Sequence, residues 1–311
     1  MKCSKCLMPD SRPGSLFEGD VCQACINYEA RAGVNWKGRL DQLWLLAQKA
    51  KDQGHSRYDV LIPVSGGKDS HALCHILIKE LDLRALLFTV QDHFLHTSAG
   101  THNLQNLIAK FGVPHMQWTP SRDWFVKTAR MQFEAFGEPL RSFEKLIYEI
   151  PIQTAKEWSI PLVVFGENSA YEYGTTTEDS PEREPGVHYM SYYKPWSSMT
   201  NLAIAKGYGF RTLQGEWERM GAIESFEQMD SYGYMVHLWM KYPKFGFQRV
   251  SDVVSRRIRE GHLTKAAGEL LISHCDPILD PQAQNSFCET LGYNAAEFWE
   301  IVAKHDKGFM R

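Results

Sequence analysis

The sequence predicts an α/β protein: a doubly wound parallel sheet, preceded by a small cysteine-bearing module and followed by a helical C-terminal region. Three observations carry that expectation. Between residues 58 and 165 short apolar runs alternate with stretches of helical periodicity, a glycine-rich hexapeptide joins the first run to its helix, and four of the seven cysteines lie within the first 25 residues. With 311 residues, 43% of them apolar, the chain can bury one large core with a small module attached. Three regions are expected, at 1–35, 36–240 (with an insert at about 173–200) and 241–311. The 34 basic and 37 acidic residues leave a net charge of −3, and 23% of residues are charged. This balance excludes a disordered chain and a strongly basic nucleic-acid binder. No window reaches the roughly 18 apolar residues of a membrane span. Residues 1–6 lack the apolar stretch of an export signal, so a cytoplasmic protein with no membrane or nucleic-acid partner is expected.

Cys3-x-x-Cys6 and Cys22-x-x-Cys25 are two knuckles separated by 15 residues, a spacing typical of four-thiolate zinc ribbons. Each knuckle can turn two sulfurs toward one ion, and Pro9, Pro13, Gly14 and Gly19 between them suit a short loop or hairpin. So small a segment has little core of its own and needs a staple. Four protein ligands leave no open position, which assigns the zinc a structural role; an iron–sulfur cluster and a redox dithiol are the alternatives. Cys74, Cys275 and Cys288 sit in apolar contexts and are expected to be buried small residues.

Residues 58–64 read as a short buried strand, and Ser65-Gly66-Gly67-Lys68-Asp69-Ser70 leads at once into a helical stretch over 71–81. Two glycines let backbone N–H groups converge on an anion. The helix N-terminus adds its partial positive charge, with Ser70 as the expected cap. Ala72, Leu73, Ile76 and Leu77 share the face that packs on the sheet. The loop is not of the Gly-x4-Gly-Lys-Ser/Thr type, because Ile62 stands in place of the first glycine and Asp69 in place of the hydroxyl residue. It resembles the PP-loop ATPases, whose Ser-Gly-Gly-x-Asp-Ser motif is matched at Ser65, Gly66, Gly67, Asp69 and Ser70. That resemblance implies a loop that holds departing pyrophosphate, with ATP cleaved between its α and β phosphates to adenylate a carbonyl oxygen and release AMP.

Residues 83–90 read as a second strand, 101–111 as a helix and 115–118 as a third strand. Helical stretches near 122–136 and 142–158 precede a buried strand at 161–165, which ends in Gly166-Glu167-Asn168. Ligands of such sheets lie beyond the carboxyl ends of the strands, so the loops at 65–70 and 91–100 are expected at the site. His93, His96 and Thr97 then come near it, with a solvated loop as the alternative for each histidine. Glu167 can face the phosphate loop across the crevice and, with Asp69, hold magnesium on ATP phosphates; alternatively it caps the following turn.

The segment Gly166-Glu167-Asn168-Ser169-Ala170-Tyr171-Glu172-Tyr173-Gly174 resembles the Gly-Glu-Asn…Glu-Tyr-Gly segment of the N-acetyl sugar amidotransferases, a PP-loop family of surface-polysaccharide and nonulosonic-acid biosynthesis. The likeness runs over nearly the whole chain, through the cysteine pairs, 65–70, 241–247 and 258–264. Ser169 stands where the family usually has proline, a departure that leaves the carboxylates in place. The resemblance implies conversion of an acetamido group on a nucleotide-linked N-acetyl sugar to an acetamidino group, by adenylation of the amide oxygen and attack of ammonia, in lipopolysaccharide O-antigen or related surface-glycan synthesis. ATP and Mg2+ are the implied cofactors beside zinc. Lys68, Asp69 and Glu167 are the expected catalytic residues, and Ser65, Gly66, Gly67, Ser70 and Gly166 complete the nucleotide site. Asn168, Glu172, Tyr173, Lys241, Lys244 and Arg249 are expected at the substrate, the three cations toward its diphosphate, with a solvated basic face as their alternative. The chain carries no convincing glutaminase signature. The resemblance therefore implies a glutaminase partner and a barrel, cyclase-type partner similar to the subunits of imidazole glycerol phosphate synthase. A PP-loop tRNA-modifying enzyme, thiolase or lysidine synthetase-like, is the competing reading, and the mild acidity weighs against it.

The insert at 173–200 holds Tyr189, Tyr192, Tyr193 and Trp196 without useful periodicity, which leaves substrate contact, partner contact and a mobile loop open. In the tail, Val250, Val253, Val254 and Ile258 mark one helix face opposite Arg256 and Arg259. Asn294 with Glu297 forms a capping-box start to a final helix through residue 304.

Overall fold

In a computed structural model, residues 1–53 and 56–310 are described; Gly54, His55 and Arg311, the last residue of the C-terminal region, lie outside the described residues. The cysteine module begins with a hairpin of β1 (Phe17–Glu18) and β2 (Val21–Cys22), followed by α1 (Gln23–Ala30) and α2 (Trp36–Asp52). The sheet domain runs through β3 (Val60–Pro63), α3 (Lys68–Cys74) extended by a π-helical turn (His75–Glu80), β4 (Ala85–Val90), α4 (Ser98–Phe111), β5 (His115–Trp118), α5 (Arg122–Phe136), α6 (Arg141–Glu157) and β6 (Leu162–Phe165). After α7 (Ser169–Glu172) come β7 (Glu182–Glu184), β8 (Val187–Tyr189), α8 (Met190–Tyr193) and α9 (Ser198–Gly207). The tail is helical: α10 (Tyr234–Trp239), α11 (Lys241–Phe245), α12 (Arg249–Arg259), α13 (Lys265–Cys275), α14 (Pro281–Leu291) and α15 (Ala295–His305).

The large sheet has the order β5-β4-β3-β6-β8-β7, parallel throughout except for β7 at one edge. Val60 lies beside Ala85 on one side and Leu162 on the other. The chain moves outward from β3 to β5 and then returns to the other flank as β6, so strand order reverses between β3 and β6. A crevice opens there beyond the carboxyl ends of the strands.

Because side chains alternate along a strand, Val60, Ile62 and Leu87 enter one core, with Leu73, Leu77 and Leu107 of α3 and α4. Leu61, Leu86 and Phe88 enter the opposite core, against Ile152 and Ala155 of α6. The insert is not a featureless loop. Its strands are too short for a period to show in sequence, and Val187 pairs beside Val163 while Met190 and Tyr193 join the first core. Asn294 and Glu297 exchange both bonds of a capping box at the start of α15.

A third core fills the space between α5 and the tail helices. Phe287 is fully buried there, with its ring against Phe94, Phe133 and Phe298 at centroid separations of 5.8, 5.2 and 5.8 Å. Phe287→Ala leaves a ring-sized void at the joint between sheet domain and tail. It is expected to cost about 3–5 kcal/mol, read as a lowered urea midpoint with an unchanged slope.

Candidate active site

The loop after β3 lies at the reversal of strand order. Gly66 has a φ of +88°, and a Cβ there would fall 2.6 Å from the Leu104 backbone nitrogen, so the loop must carry glycine at this position. Its own hydroxyls close the loop: Ser65 N donates to Ser70 Oγ at 3.0 Å and Gly67 N to Ser65 Oγ at 3.2 Å. Helix α3 is capped at Gly67, which corrects the expectation for Ser70. That residue sits in the first turn, and its hydroxyl serves the loop backbone instead of the helix.

Lys68 is buried, its ammonium 2.6 Å from Asp69 Oδ2 and 3.6 Å from Glu227 Oε1. Burial works against its charge, but Asp69 and Glu227 outweigh burial and hold the amine above its ordinary pKa. The other oxygen of Asp69 accepts from Asn201 Nδ2 of α9 at 2.7 Å.

Across the crevice, Gly166 is confined by Trp196, whose ring would lie 3.0 Å from a Cβ. Asn168 caps α7, its Oδ1 accepting from Tyr171 N at 3.4 Å, so the capping role belongs to Asn168 and not to Glu167. The Glu167 carboxyl is pushed up to about 7, first by burial, then by the negative charges of Asp69 and Glu172, against Arg256 and Lys68. Carboxylates from two loops thus share one field and repel one another. This donor set fits a hard divalent cation, which would relieve that repulsion.

Further charges come from the segment that starts at Arg219. The guanidinium of Arg219 donates to the carbonyls of Glu224, Glu227 and Gln228 at 2.6, 2.9 and 3.1 Å. Glu224 Oε2 in turn accepts from Phe226 N and Glu227 N at 2.8 and 2.7 Å. This scaffold aims the Glu227 carboxylate, 3% exposed, at the phosphate loop. Glu227 Oε1 accepts from Ser198 Oγ and Arg256 Nη2, and Oε2 lies 2.5 Å from Arg249 Nη2. Burial opposes the charge, yet Arg249, Lys68 and Arg256 hold this carboxyl well below the usual range. Asp230 of the same segment hydrogen-bonds Ser65 of the loop, and burial pushes it up to about 6.

The remaining expected residues each meet a protein partner. Glu172 pairs with Arg31. The Tyr173 hydroxyl accepts from Arg249 at 2.9 Å while Arg12 lies over its ring. Lys241 is 3.0 Å from Asp252, and Lys244 is 2.5 Å from Glu138. Both lysines line a separate cavity of about 310 Å³, which no phosphate-loop residue lines. A solvated basic face does not describe the arginines of α12: Arg249 and Arg256 turn to Glu227, and Arg259 Nη1 lies 3.5 Å from Cys6 Sγ. Nor does a solvated loop describe the histidines, since His93 Nε2 lies 2.7 Å from Pro120 O and His96 Nε2 3.5 Å from Asp92 Oδ1. Thr97 caps α4, accepting from Gly100 N at 2.9 Å, which starts that helix three residues ahead of its expected position. Sequence reasoning missed Glu227, Asp230, Asn201 and Ser198, and it set Arg256 apart from the site. One signal was present: Arg249, Asp252 and Arg256 at i, i+3 and i+7 share a helix face.

Cys3, Cys6, Cys22 and Cys25 converge, their sulfurs all within 4.8 Å of one another. Tetrahedral zinc with Zn–S bonds of about 2.3 Å requires sulfurs about 3.8 Å apart. The Cys3–Cys25 and Cys6–Cys22 pairs stand at 3.8 and 3.5 Å, so the four residues fit that ion. Cys22 N donates to Cys3 Sγ at 3.2 Å and Arg259 supplies positive charge beside Cys6, both suited to thiolate ligands. Purified protein is expected to contain about one zinc per chain, and stripping it with a strong chelator is expected to lower the thermal midpoint. Elemental analysis checks the first and differential scanning fluorimetry the second; iron in place of zinc would overturn the assignment.

Residues 220–310, somewhat under a third of the chain, match the family model described as "LPS biosynthesis protein WbpG-like, C-terminal domain". No curated protein sequence matches the chain. Similar solved structures include an NH3-dependent NAD synthetase from Campylobacter jejuni, at 11% identity over 82% of this chain and 96% of that one, with a TM-score of 0.41. Another is an NMN synthetase from Francisella tularensis, at 10% identity over 85% and 96%, with a TM-score of 0.38. No described helix is long and apolar enough to cross a membrane. The segment that brings Glu227, Asp230, Arg249 and Arg256 to the loop at 65–70 thus lies within the stretch that is similar to the WbpG-like C-terminal domain of lipopolysaccharide biosynthesis.

Proposed function

We propose that the chain is an ATP-dependent, AMP-forming amidotransferase of lipopolysaccharide O-antigen or related surface-glycan synthesis. It converts the acetamido group of a nucleotide-linked N-acetyl sugar to an acetamidino group. One observation carries the reading: Ser65–Ser70 closes a phosphate loop at the reversal of strand order, with buried Lys68 held charged and the Asp69 and Glu167 carboxylates facing the same space.

An amide carbon is a poor electrophile, so its oxygen first attacks the α-phosphorus of ATP. An O–P bond forms and pyrophosphate leaves. Ammonia then adds its lone pair to the carbon, and AMP departs with the former amide oxygen. The chain's work is electrostatic. The loop N–H groups and Lys68 stabilise charge gathering on the leaving pyrophosphate, and Gly66 lets the loop pack against the Leu104 backbone of α4. Asp69 and Glu167 would hold Mg2+, which when bound neutralises phosphate charge and orients the leaving group.

Ammonia is mostly protonated near neutral pH and gains from a sheltered source. Cys74, Cys275 and Cys288 are buried, with thiols pushed up by burial, which ill suits them to glutamine hydrolysis. A separate glutaminase, docked through a cyclase-type subunit, is the proposed supplier.

Incubation with ATP, magnesium, ammonium and UDP- or CMP-linked N-acetyl sugars should release AMP and yield a sugar lighter by the difference between O and NH. Release of ADP would overturn the reading. Asp69→Asn is expected to lower kcat/KM at least about a hundredfold while leaving the fold intact, since the Asp69 side chain is 44% exposed. Full activity in that variant would remove Asp69 from the mechanism.

A further inference from the structure

We infer that Lys68, Arg249 and Arg256 form one anion site for the β- and γ-phosphates of ATP, and that the Glu227 carboxylate occupies this site when no nucleotide is bound. The inference rests on the reading of residues 65–70 as an ATP loop; it adds Arg256 and moves Arg249 from the sugar diphosphate, where it was expected, to the phosphates of ATP.

Geometry comes first. Lys68 Nζ and Arg256 Nη2 both approach a single oxygen, Glu227 Oε1, and Arg249 Nη2 approaches the other. Three cations therefore converge on one buried carboxylate, and one of them belongs to the phosphate loop. The arginines are not saturated by this carboxylate: Arg249 Nε and Arg256 Nε are buried and have no hydrogen-bond partner. A guanidinium presents its donors as a rigid fork matched to paired oxygens, so each arginine retains a donor for an oxygen-rich anion. Asp252 and Glu167 act on these arginines through space, but the hydrogen bonds of the neighbouring Asp252 and Asp69 carboxylates go elsewhere. Asp252 is committed to Arg12 and Lys241, and Asp69 shares Lys68 and Asn201.

Chemistry supplies the second argument. Pyrophosphate leaves with several negative charges, and the phosphate loop contributes a single side-chain cation. Cations fixed where charge develops, in a site closed to water, are worth far more than cations recruited from solvent. Arg249 and Arg256 are fixed in this way, two helical turns apart on one face of α12. Glu227 is suited to yield its place. Its backbone is held by Glu224 and Arg219, so rotation of the side chain alone can withdraw the carboxylate while the loop stays put.

The test uses the full chain and measures binding of inorganic pyrophosphate and of magnesium-ATP by calorimetry. Arg256→Gln and Arg249→Gln are each expected to weaken pyrophosphate about tenfold or more, with partial recovery in Arg256→Lys. Glu227→Gln, which keeps shape and removes the competing charge, is expected to bind pyrophosphate several-fold more tightly. The opposite result, weaker binding in Glu227→Gln, would make Glu227 an organiser of the cations and overturn the proposal even if the arginine variants fail to fold. So would pyrophosphate affinity unchanged in folded arginine variants, or a site that takes UDP in preference to pyrophosphate. Lys68→Ala and Asp69→Asn separate the two levels. If those variants lose ATP binding while the arginine variants retain it, the ATP loop stands and the arginine site falls. If those variants also bind ATP and release AMP normally, the ATP reading itself fails.

Discussion

A carboxylate buried among three cations links the two halves of this protein. Glu227 reaches the phosphate loop through Lys68 and helix α12 through Arg249 and Arg256, so the position of one half is set by the other. Removing a single partner from such a cluster leaves an uncompensated charge out of water, a loss of about 3–5 kcal/mol for buried pairs. The surrounding structure is built to prevent that. Arg219 and Glu224 hold the carboxylate-bearing loop by its backbone, and Gln228 turns the chain through a positive φ of 47° immediately afterwards. A phosphate loop placed by sheet topology alone would have its backbone in register but its lysine free to swing. Here the lysine is held by a residue more than 150 positions away in sequence.

Charge is arranged around the crevice by sign. Cations gather on the side of α12, whereas Asp69 at the start of α3 and Glu167 after β6 raise a negative field together. The result is a polarised cleft in which Glu167 is raised to about 7 by its neighbours while Glu227 is held far down by its own. Environments that push like groups apart are characteristic of reactive sites. The net charge of −3 conceals this separation entirely.

The sequence made the sheet domain legible because its strands are short continuous apolar runs, its turns are marked by glycine, and each candidate site motif is local. Residues 65–70, 166–168 and the capping box at Asn294 carry their meaning within a few positions. Glu227 and Asp230 do not. They lie in a segment from 208 to 233 with little regular structure, where an acidic residue reads as solvated surface until its partner is known. Arg256 was assigned to a face opposite the valines of α12, which is correct as a pattern and uninformative about what that face meets. The missing information was tertiary: Arg249 and Arg256 turn toward Glu227, while Leu7 of the cysteine module packs on Val250 and Val254 and its Arg12 pairs with Asp252. The short strands of the insert were hidden for a simpler reason, since three residues cannot display a period of two.

That covering explains how a module distant from the chemistry bears on it. Leu7 of the first knuckle packs with Val250, Val254 and Ile272, so the ribbon rests against the apolar face of α12 and α13. Arg259 at the end of α12 lies against Cys6 Sγ, and Arg12 of the ribbon pairs with Asp252 midway along the same helix. On the other side Gly174, with a φ of +71°, allows the segment after α7 to touch Ala24, where a Cβ would fall 2.3 Å from the backbone nitrogen. The four-sulfur centre therefore braces α12 along its length and the segment after β6 at its end. Both are elements that deliver charged side chains to the phosphate loop. A helix fixed at three points presents Arg249 and Arg256 with little freedom, and an ion closed on by the four sulfurs would turn its binding energy into rigidity at a site it does not touch.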